Sequence, residues 1–244
     1  MKHLTSLAFS LIVLSVAATA HTEVPKWVRI GNTTGDFRTS ATVAWHTTGN
    51  CQPELYYGMT PSYSQKVEGS STVTDGIDIL HEAVMTDLEP GTLYYYSVGC
   101  KGADFSQWAL FSTAPGNPCD NLRFVVTGDS RGDLDVGSLY IPSTVWPNLL
   151  GEVLGLMPSL IFNTGDLVRD GTDAPQWVQY LDQTALLQLS VPLVLVMGNH
   201  DNDNVDGPQA LFSQVSVMPP NSLTGSEDFF SFDYGLAHFV VLST

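Results

Sequence analysis

Basic residues are scarce in this chain of 244 residues. Nine Lys and Arg stand against 25 Asp and Glu, which gives a formal net charge of −16 at pH 7. Nucleic-acid binding depends on clustered Lys and Arg that neutralise phosphates, and the sequence contains no such cluster. The composition therefore disfavours a nucleic-acid partner, whereas an acidic surface attracts metal cations.

Long apolar runs are also absent, apart from one near the N-terminus. The run Leu7–Val16 is short for a membrane span, which needs about 20 apolar residues. It follows Lys2 and precedes Ala18-Thr19-Ala20, an order typical of a cleaved signal peptide. We expect residues 1–20 to be removed as a signal peptide. The mature protein would then start at His21, be secreted or periplasmic, and have no membrane span.

Short alternating runs separated by turn residues characterise the stretch 24–115. The predicted strands are Ala41–His46, Glu54–Tyr57, His81–Met85 and Thr92–Ser97. Several short strands with regularly spaced turns predict an antiparallel β-sandwich. We expect Trp45 in its core and His46 and His81 on solvent-facing strand positions. The Pro- and Gly-containing stretch Thr113–Asp120 predicts a boundary before a second domain, 121–244.

Three apolar runs of the second domain each stop at a short polar turn. They are Phe124–Thr127 before Gly128-Asp129-Ser130-Arg131, Leu160–Thr164 before Gly165-Asp166, and Val194–Met197 before Gly198-Asn199-His200-Asp201. Such runs predict buried strands, and the segments Val145–Leu156 and Gln176–Gln188 between them predict helices. A β-α-β-α-β unit implies parallel strands.

The polar turns of this unit indicate a metal site. The carboxyl ends of parallel strands meet at one edge of the sheet, where ligands bind. Asp129, Asp166, Asn199 and His200 would collect there, and their oxygen and nitrogen donors suit Zn, Mn or Fe. Two such ions can share a carboxylate and act on a phosphoryl group.

The motifs GDSR, GDLVRDG and GNHD resemble the first three motifs of the calcineurin-like metallophosphoesterases. The preceding domain and the late stretch MPP…SFDYGLAHFVVLST resemble the purple acid phosphatase branch. The resemblance implies that Asp129 binds one metal ion, Asp166 bridges two and Asn199 binds the second. His200 would be the catalytic residue, contacting phosphate or acting as general acid, and Asp201 would orient it.

The resemblance also implies the fold class and the reaction. The fold would be an all-β fibronectin type III-like sandwich followed by an incomplete α/β metallophosphoesterase domain. The reaction would be hydrolysis of small phosphomonoesters or related esters by a metal-bound hydroxide, with two divalent or trivalent ions (Fe, Zn or Mn). The alternative is an exported, non-catalytic binding or adhesion module with a degenerate phosphatase domain. The oligomeric state is left open.

Several positions depart from the family pattern. Arg169 stands where purple acid phosphatases have a metal-binding Tyr, and Arg131 stands where many relatives have the His of Asp-x-His. Arg131 would either face the phosphate or pair with Asp133 or Asp135. The family's two later histidine motifs are not in the sequence. We therefore expect a C-terminally truncated chain that binds metal weakly and has little activity alone.

The chain has three cysteines, and export permits a disulfide. In a fibronectin-like sandwich, Cys51 would open the third strand and Cys100 would close its antiparallel neighbour. The resemblance therefore favours a Cys51–Cys100 bond, with Cys119 left over.

Overall fold

The computed structural model describes residues 24–74, 76–117, 121–134, 140–202, 210–223 and 225–242. The predicted signal peptide and Cys119 lie outside these ranges. The first part of the chain consists of eight strands: β1 (Lys26–Gly31), β2 (Ala41–Thr47), β3 (Pro53–Gly58), β4 (Gln65–Glu68), β5 (Ser70–Thr72), β6 (Ile79–Met85), β7 (Leu93–Cys100) and β8 (Ala109–Ser112).

These strands form two antiparallel four-stranded sheets, in the orders β1-β2-β6-β5 and β4-β3-β7-β8. Alternate side chains of both sheets meet in one core that includes Trp45, Leu55 and Tyr96, each with no exposed surface. Period-two alternation places these residues on the inner faces because successive strand side chains point to opposite sides. The predicted β-sandwich and the core position of Trp45 are confirmed.

A disulfide joins two cysteines at neighbouring ends of the paired strands β3 and β7. Cys51 directly precedes β3 and Cys100 ends β7, and the pairing of Pro53 with Cys100 brings the two Cα atoms to 5.6 Å. The predicted Cys51–Cys100 bond is confirmed. It closes a loop with a sequence separation of 49 residues, which restricts the unfolded chain.

Replacing both Cys51 and Cys100 by serine is expected to lower the free energy of unfolding by about 2–4 kcal/mol, because the unfolded chain regains the entropy of the open loop. Urea denaturation with and without a dithiol measures the effect. Reductant should shift the wild-type midpoint to that of the variant and leave the variant unchanged. Equal midpoints for oxidised and reduced wild type would contradict the prediction.

The predicted exposure of His46 and His81 is wrong, since both side chains are fully buried. Val217 of the second part of the chain packs against Ala44 and Leu80 on the outer face of the first sheet, and Leu80 is the cross-strand partner of His46. The His46 ring also meets Trp27 of β1 edge-on at 5.4 Å. Burial, and next the charge of Arg29, lower the pKa of His46 to about 2. His81 bonds Thr47 Oγ1 (2.6 Å) and Ser71 Oγ (2.8 Å) with its two ring nitrogens.

The second part combines a parallel sheet, two main helices and a hairpin. Its elements are β9 (Phe124–Thr127), β10 (Asp133–Leu134), β11 (Tyr140–Ile141), α1 (Val145–Gly155), β12 (Leu160–Asn163), α2 (Ala174–Gln188), β13 (Leu193–Leu195), α3 (Leu211–Val215), β14 (Phe230–Tyr234) and β15 (Ala237–Val241). Parallel pairing in the order β13-β12-β9 places β12 at the centre. The predicted parallel unit and both helices are confirmed.

One strand of this sheet is less buried than its apolar sequence predicts. β12 and β13 are buried throughout, whereas Phe124 and Val126 of β9 remain 46% and 57% exposed. β9 and β13 are both edge strands of the three-stranded sheet, so the difference lies in how far their faces are covered and not in strand pairing. An apolar run alone does not show how much of a strand will be covered.

Helix α2 fixes the sheet against the sandwich. Pro175 lies in its first turn, where the missing N–H costs no helical bond. Four residues of α2 recur at helical spacing and are buried on the side of the sheet: Trp177, Tyr180, Leu181 and Thr184.

Within the described residues, no helix combines the length and apolar character needed to cross a bilayer.

Arg29 of β1 connects the two parts of the molecule. The fully buried guanidinium donates to the carbonyls of Val215 (3.0 Å) and Gln214 (2.6 Å) across the interface. Glu227 accepts from the Met218 N–H at 3.0 Å, and burial raises the pKa of this carboxyl to about 8. The interface between the two parts therefore contains ionisable side chains that are buried away from solvent.

Candidate functional site

Hydrogen bonds from backbone N–H groups join the three polar turns at the carboxyl edge of the sheet. The Asp129 N–H donates to the Gly165 carbonyl at 3.0 Å, and the Arg131 N–H donates to the Asp166 carbonyl at 2.9 Å. The His200 N–H points to Oδ1 of Asp166 at 3.4 Å. The three turns predicted from sequence to meet therefore do meet, with Asp166 between the other two.

The two aspartates that follow β9 and β12 share an unusual backbone conformation. Asp129 has φ 51° and Asp166 has φ 55°, a left-handed region that costs energy for residues other than glycine. Such strain persists where the surrounding structure enforces it, often at functional sites. Both residues thereby leave the strand direction at the same edge of the sheet.

Gly198 allows the third turn to approach Asp166 closely. A Cβ at this position would lie 2.4 Å from the Asp166 nitrogen and 2.5 Å from Asp166 Oδ1. Any larger residue would push the turn away from that carboxylate. Asn199 follows immediately and has an exposed side chain.

The buried side chain of Asp201 links the second and third turns by hydrogen bonds. Its side chain is fully buried, with Oδ1 accepting from the N–H groups of Leu167 (2.8 Å) and Val168 (3.1 Å). Oδ2 accepts from the Gly198 N–H at 2.7 Å. Burial raises the pKa of this carboxyl to about 6, and the three N–H bonds oppose the rise. Asp201 thus supports the backbone of the site.

The His200 ring is fixed by a backbone carbonyl. Its Nδ1 lies 2.6 Å from the Arg169 oxygen. A carbonyl oxygen only accepts, so Nδ1 carries the proton and Nε2 is left for a ligand. The expectation that Asp201 orients His200 is wrong for the described contacts: Arg169 does so through its main chain, while Asp201 binds N–H groups.

Two arginines occupy this edge of the sheet. Nε of Arg131 lies 3.5 Å from Oδ2 of Asp166, and the Arg169 guanidinium lies 3.5 Å from Asp133. The structure therefore pairs Arg131 with Asp166, a partner that the sequence analysis had not considered. Asp135, one of the predicted partners, lies outside the described residues.

Sequence reasoning also missed a cluster in the sandwich. Among the described residues, ligand atoms of three or more His, Cys, Asp or Glu lie within 4.8 Å of one another only at Cys51, His81 and Cys100. Its two sulfurs form the disulfide and both nitrogens of His81 are hydrogen bonded. These atoms are already engaged. By the same measure, the ligand atoms of Asp129, Asp166 and His200 do not all lie within 4.8 Å of one another, so the structure brings together the turns of the predicted site without clustering these side chains.

Two family models match consecutive parts of the chain. The purple acid phosphatase N-terminal domain matches residues 25–113, and the calcineurin-like phosphoesterase domain matches residues 122–240. The chain belongs to the purple acid phosphatase type of calcineurin-like phosphoesterases. This family membership assigns the three linked turns to a metallophosphoesterase-like α/β domain that follows a β-rich N-terminal domain in the chain.

Individual relatives are distant and longer than this chain. Purple acid phosphatase 13 of Arabidopsis thaliana is 27% identical over 72% of the chain and 37% of its own length. The phosphoenolpyruvate phosphatase of Allium cepa is 25% identical over 90% of the chain and 47% of its own length. The chain thus spans about a third to a half of these curated relatives.

Two further comparisons bear on fold and activity. A purple acid phosphatase structure from Lupinus luteus seeds superposes with a TM-score of 0.72 at 18% identity, over 90% of this chain and 45% of its own. This likeness shows the fold. A relative named probable inactive purple acid phosphatase 27 of Arabidopsis thaliana is 25% identical over 68% of the chain and 30% of its own length. Relatives of the chain thus include one whose name describes it as inactive.

The described residues fit a hard cation at the sheet edge. Asp129, Asp166 and Asn199 offer carboxylate and amide oxygens, the donors that hard divalent and trivalent cations accept. The backbone of Gly198 lies so close to Asp166 that a Cβ there would be 2.5 Å from Oδ1. The residue types at these turns therefore suit a metal ion in their donor chemistry.

Proposed function

We propose that this chain carries the metal-binding and phosphate-binding part of a phosphatase that hydrolyses small phosphate monoesters. The observation that supports the proposal is the linkage of three turns at one sheet edge, where main-chain groups of Asp129, Arg131 and His200 bond to the turn that carries Asp166. In this proposal Asp129, Asp166 and Asn199 hold Fe, Zn or Mn. Bound ions of this kind polarise a phosphoryl group and lower the pKa of water.

In this proposal Asp201 and Arg169 position the other residues of the site, and His200 acts on the substrate. Asp201 fixes the second and third turns through three N–H bonds, so Asp166 and Asn199 keep their relative positions. Arg169 fixes the His200 tautomer through its carbonyl, which leaves Nε2 directed to the substrate side in the proposal. In the imidazolium form of His200, Nε2 also carries a proton and would donate to a phosphate oxygen or to the departing alcohol oxygen.

Export is part of the same proposal. Residues 1–20 would be removed and the mature enzyme would act outside the cytoplasm, where the Cys51–Cys100 disulfide is stable. N-terminal sequencing of material from the culture medium or periplasm should begin at His21. Recovery of Met1 in that material would count against export by a cleaved signal.

Removing the central carboxylate charge tests the metal site. We expect Asp166→Asn to lower Mn²⁺ affinity of the 244-residue chain by at least about tenfold, because a ligand charge beside the cation is lost. Isothermal titration measures the affinity. Asp87→Asn is a matched control, since Asp87 is exposed and has φ 56°, close to the φ of Asp166.

A turnover assay tests the role of His200. Because the chain alone is expected to have little activity, the assay uses a form extended with the two histidine motifs of the family, a chromogenic phosphomonoester and added Mn²⁺, Zn²⁺ or Fe. In that form His200→Ala should reduce turnover by about 10²–10⁴-fold, the usual contribution of general acid catalysis. Unchanged Mn²⁺ binding in Asp166→Asn, or wild-type turnover in His200→Ala, would contradict the assigned roles.

The second candidate function is a non-catalytic exported module. The ion pair between Arg131 and Asp166 favours it, because a guanidinium occupies one oxygen of the carboxylate that would have to bridge two ions. This candidate predicts no turnover with any of the three metals, while the sandwich and its disulfide remain intact.

A further inference from the structure

The two oxygens of Asp166 face different neighbours. Oδ2 lies 3.5 Å from Nε of Arg131, with the arginine side chain 28% exposed and the aspartate 15% exposed. Oδ1 faces the third turn, where it lies next to Gly198 and 3.4 Å from the His200 nitrogen. The carboxylate is therefore divided between a guanidinium on one side and the turn carrying Asn199 on the other.

The position of Arg131 is fixed by its main chain as well. Its N–H donates to the Asp166 carbonyl at 2.9 Å, so the residue cannot leave Asp166 without breaking the link between the first two turns. A guanidinium is always charged at physiological pH and is a weakly hydrated, planar ion suited to partly buried pairs. Arg131 is thus a permanent cation beside this carboxylate.

A second arginine belongs to the same edge of the sheet. Arg169 pairs with Asp133 at 3.5 Å, although Asp133 is 91% exposed and the pair is weak. Only nine Lys and Arg occur in the whole chain, and two of them stand at this sheet edge. A site that held two multivalent ions would gain nothing from two neighbouring cations, because like charges repel at short range.

We propose that Arg131 takes the place of one cation at Asp166, so that the site admits a single metal ion on the Oδ1 side, with Asn199. This inference rests on the proposed metal site and makes it a one-metal site with an arginine as the second positive charge. The remaining N–H groups of Arg131 would then be available to phosphate oxygens, which a guanidinium binds in bidentate fashion.

The test replaces Arg131 by glutamine, which removes the positive charge of the side chain and keeps a polar side chain at the position. Isothermal titration of the 244-residue chain with Mn²⁺, supported by Mn²⁺ electron paramagnetic resonance, should give one ion per wild-type chain. Arg131→Gln should bind Mn²⁺ about tenfold more tightly or take up a second ion, because Oδ2 of Asp166 becomes free. Arg131→Lys keeps the positive charge and should bind as the wild type does.

Two controls separate this effect from others. Arg38→Gln makes the same change of net charge at an exposed site of the sandwich, where Arg38 pairs only with Asp36 among the ion pairs of the described residues. Near-ultraviolet circular dichroism of every variant shows whether it is folded. A fold defect would affect Arg131→Gln and Arg131→Lys alike, whereas loss of competition affects only the glutamine variant.

The outcomes distinguish this inference from the proposed function. If Arg131→Gln binds Mn²⁺ as Arg38→Gln does while Asp166→Asn loses binding, the metal site stands and the inference about Arg131 is wrong. Two ions bound to the wild-type chain would also overturn it. If neither the wild type nor Arg131→Gln binds Mn²⁺, both the inference and the proposed metal site are wrong.

Discussion

Replacing Asp201 by alanine is expected to lower the free energy of unfolding by at least about 3 kcal/mol. The fully buried carboxylate accepts from the N–H groups of Leu167, Val168 and Gly198. Each buried donor left without an acceptor costs about 1–3 kcal/mol, and alanine leaves three. Urea denaturation followed by tryptophan fluorescence measures the loss.

Asp201→Asn is the matched variant for this prediction. The amide keeps the shape and one oxygen for Leu167 and Val168, but its NH₂ group faces the Gly198 N–H and cannot accept from it. Stability should therefore fall in the order wild type, asparagine, alanine. A loss below about 1 kcal/mol in Asp201→Ala would show that water satisfies these donors.

Glu227→Gln is expected to change how stability depends on pH. Burial raises the pKa of Glu227 from 4.5 to about 8, with a further rise from Glu82 and an opposing effect of Arg29. The folded state thus holds a proton that the unfolded state releases above about pH 4.5. Stability is fully present below that pH and is lost as the pH rises towards about 8.

The size of this effect follows from the shift. Each pKa unit corresponds to about 1.4 kcal/mol. The free energy of unfolding of the wild type should therefore fall by several kcal/mol between about pH 4.5 and about pH 8. The neutral amide of Glu227→Gln has no proton to lose and can still accept from the Met218 N–H. The variant should be the more stable protein at pH 8, by chemical denaturation at each pH.

Other groups in the protein also titrate in this range. Burial raises the pKa of Glu82 and of Asp201, and both remain in the variant, so the difference between the two pH profiles isolates Glu227. Glu68→Gln, at an exposed position of β4, controls for net charge. Parallel profiles for wild type and Glu227→Gln would contradict a buried neutral Glu227.

The candidate site shows how far local sequence reasoning extends. Apolar runs that end in Gly-Asp or Gly-Asn predicted the turns after β9, β12 and β13, because buried strands and tight turns have strong local signatures. The partners of Arg131, Asp201 and His200 were not predictable in this way. They lie on different turns, and which side chains meet depends on how the turns dock.

The amino-acid sequence by itself determined the sandwich with Trp45 in its core and the parallel β-α-β-α-β unit with its two helices. These features follow from hydrophobic periodicity and turn residues, which act over a few positions. Only the tertiary structure decided that β12 is central, that the second domain buries His46, and that Arg131 pairs with Asp166. Each depends on contacts between residues far apart in the chain, and local periodicity carries no information about such contacts.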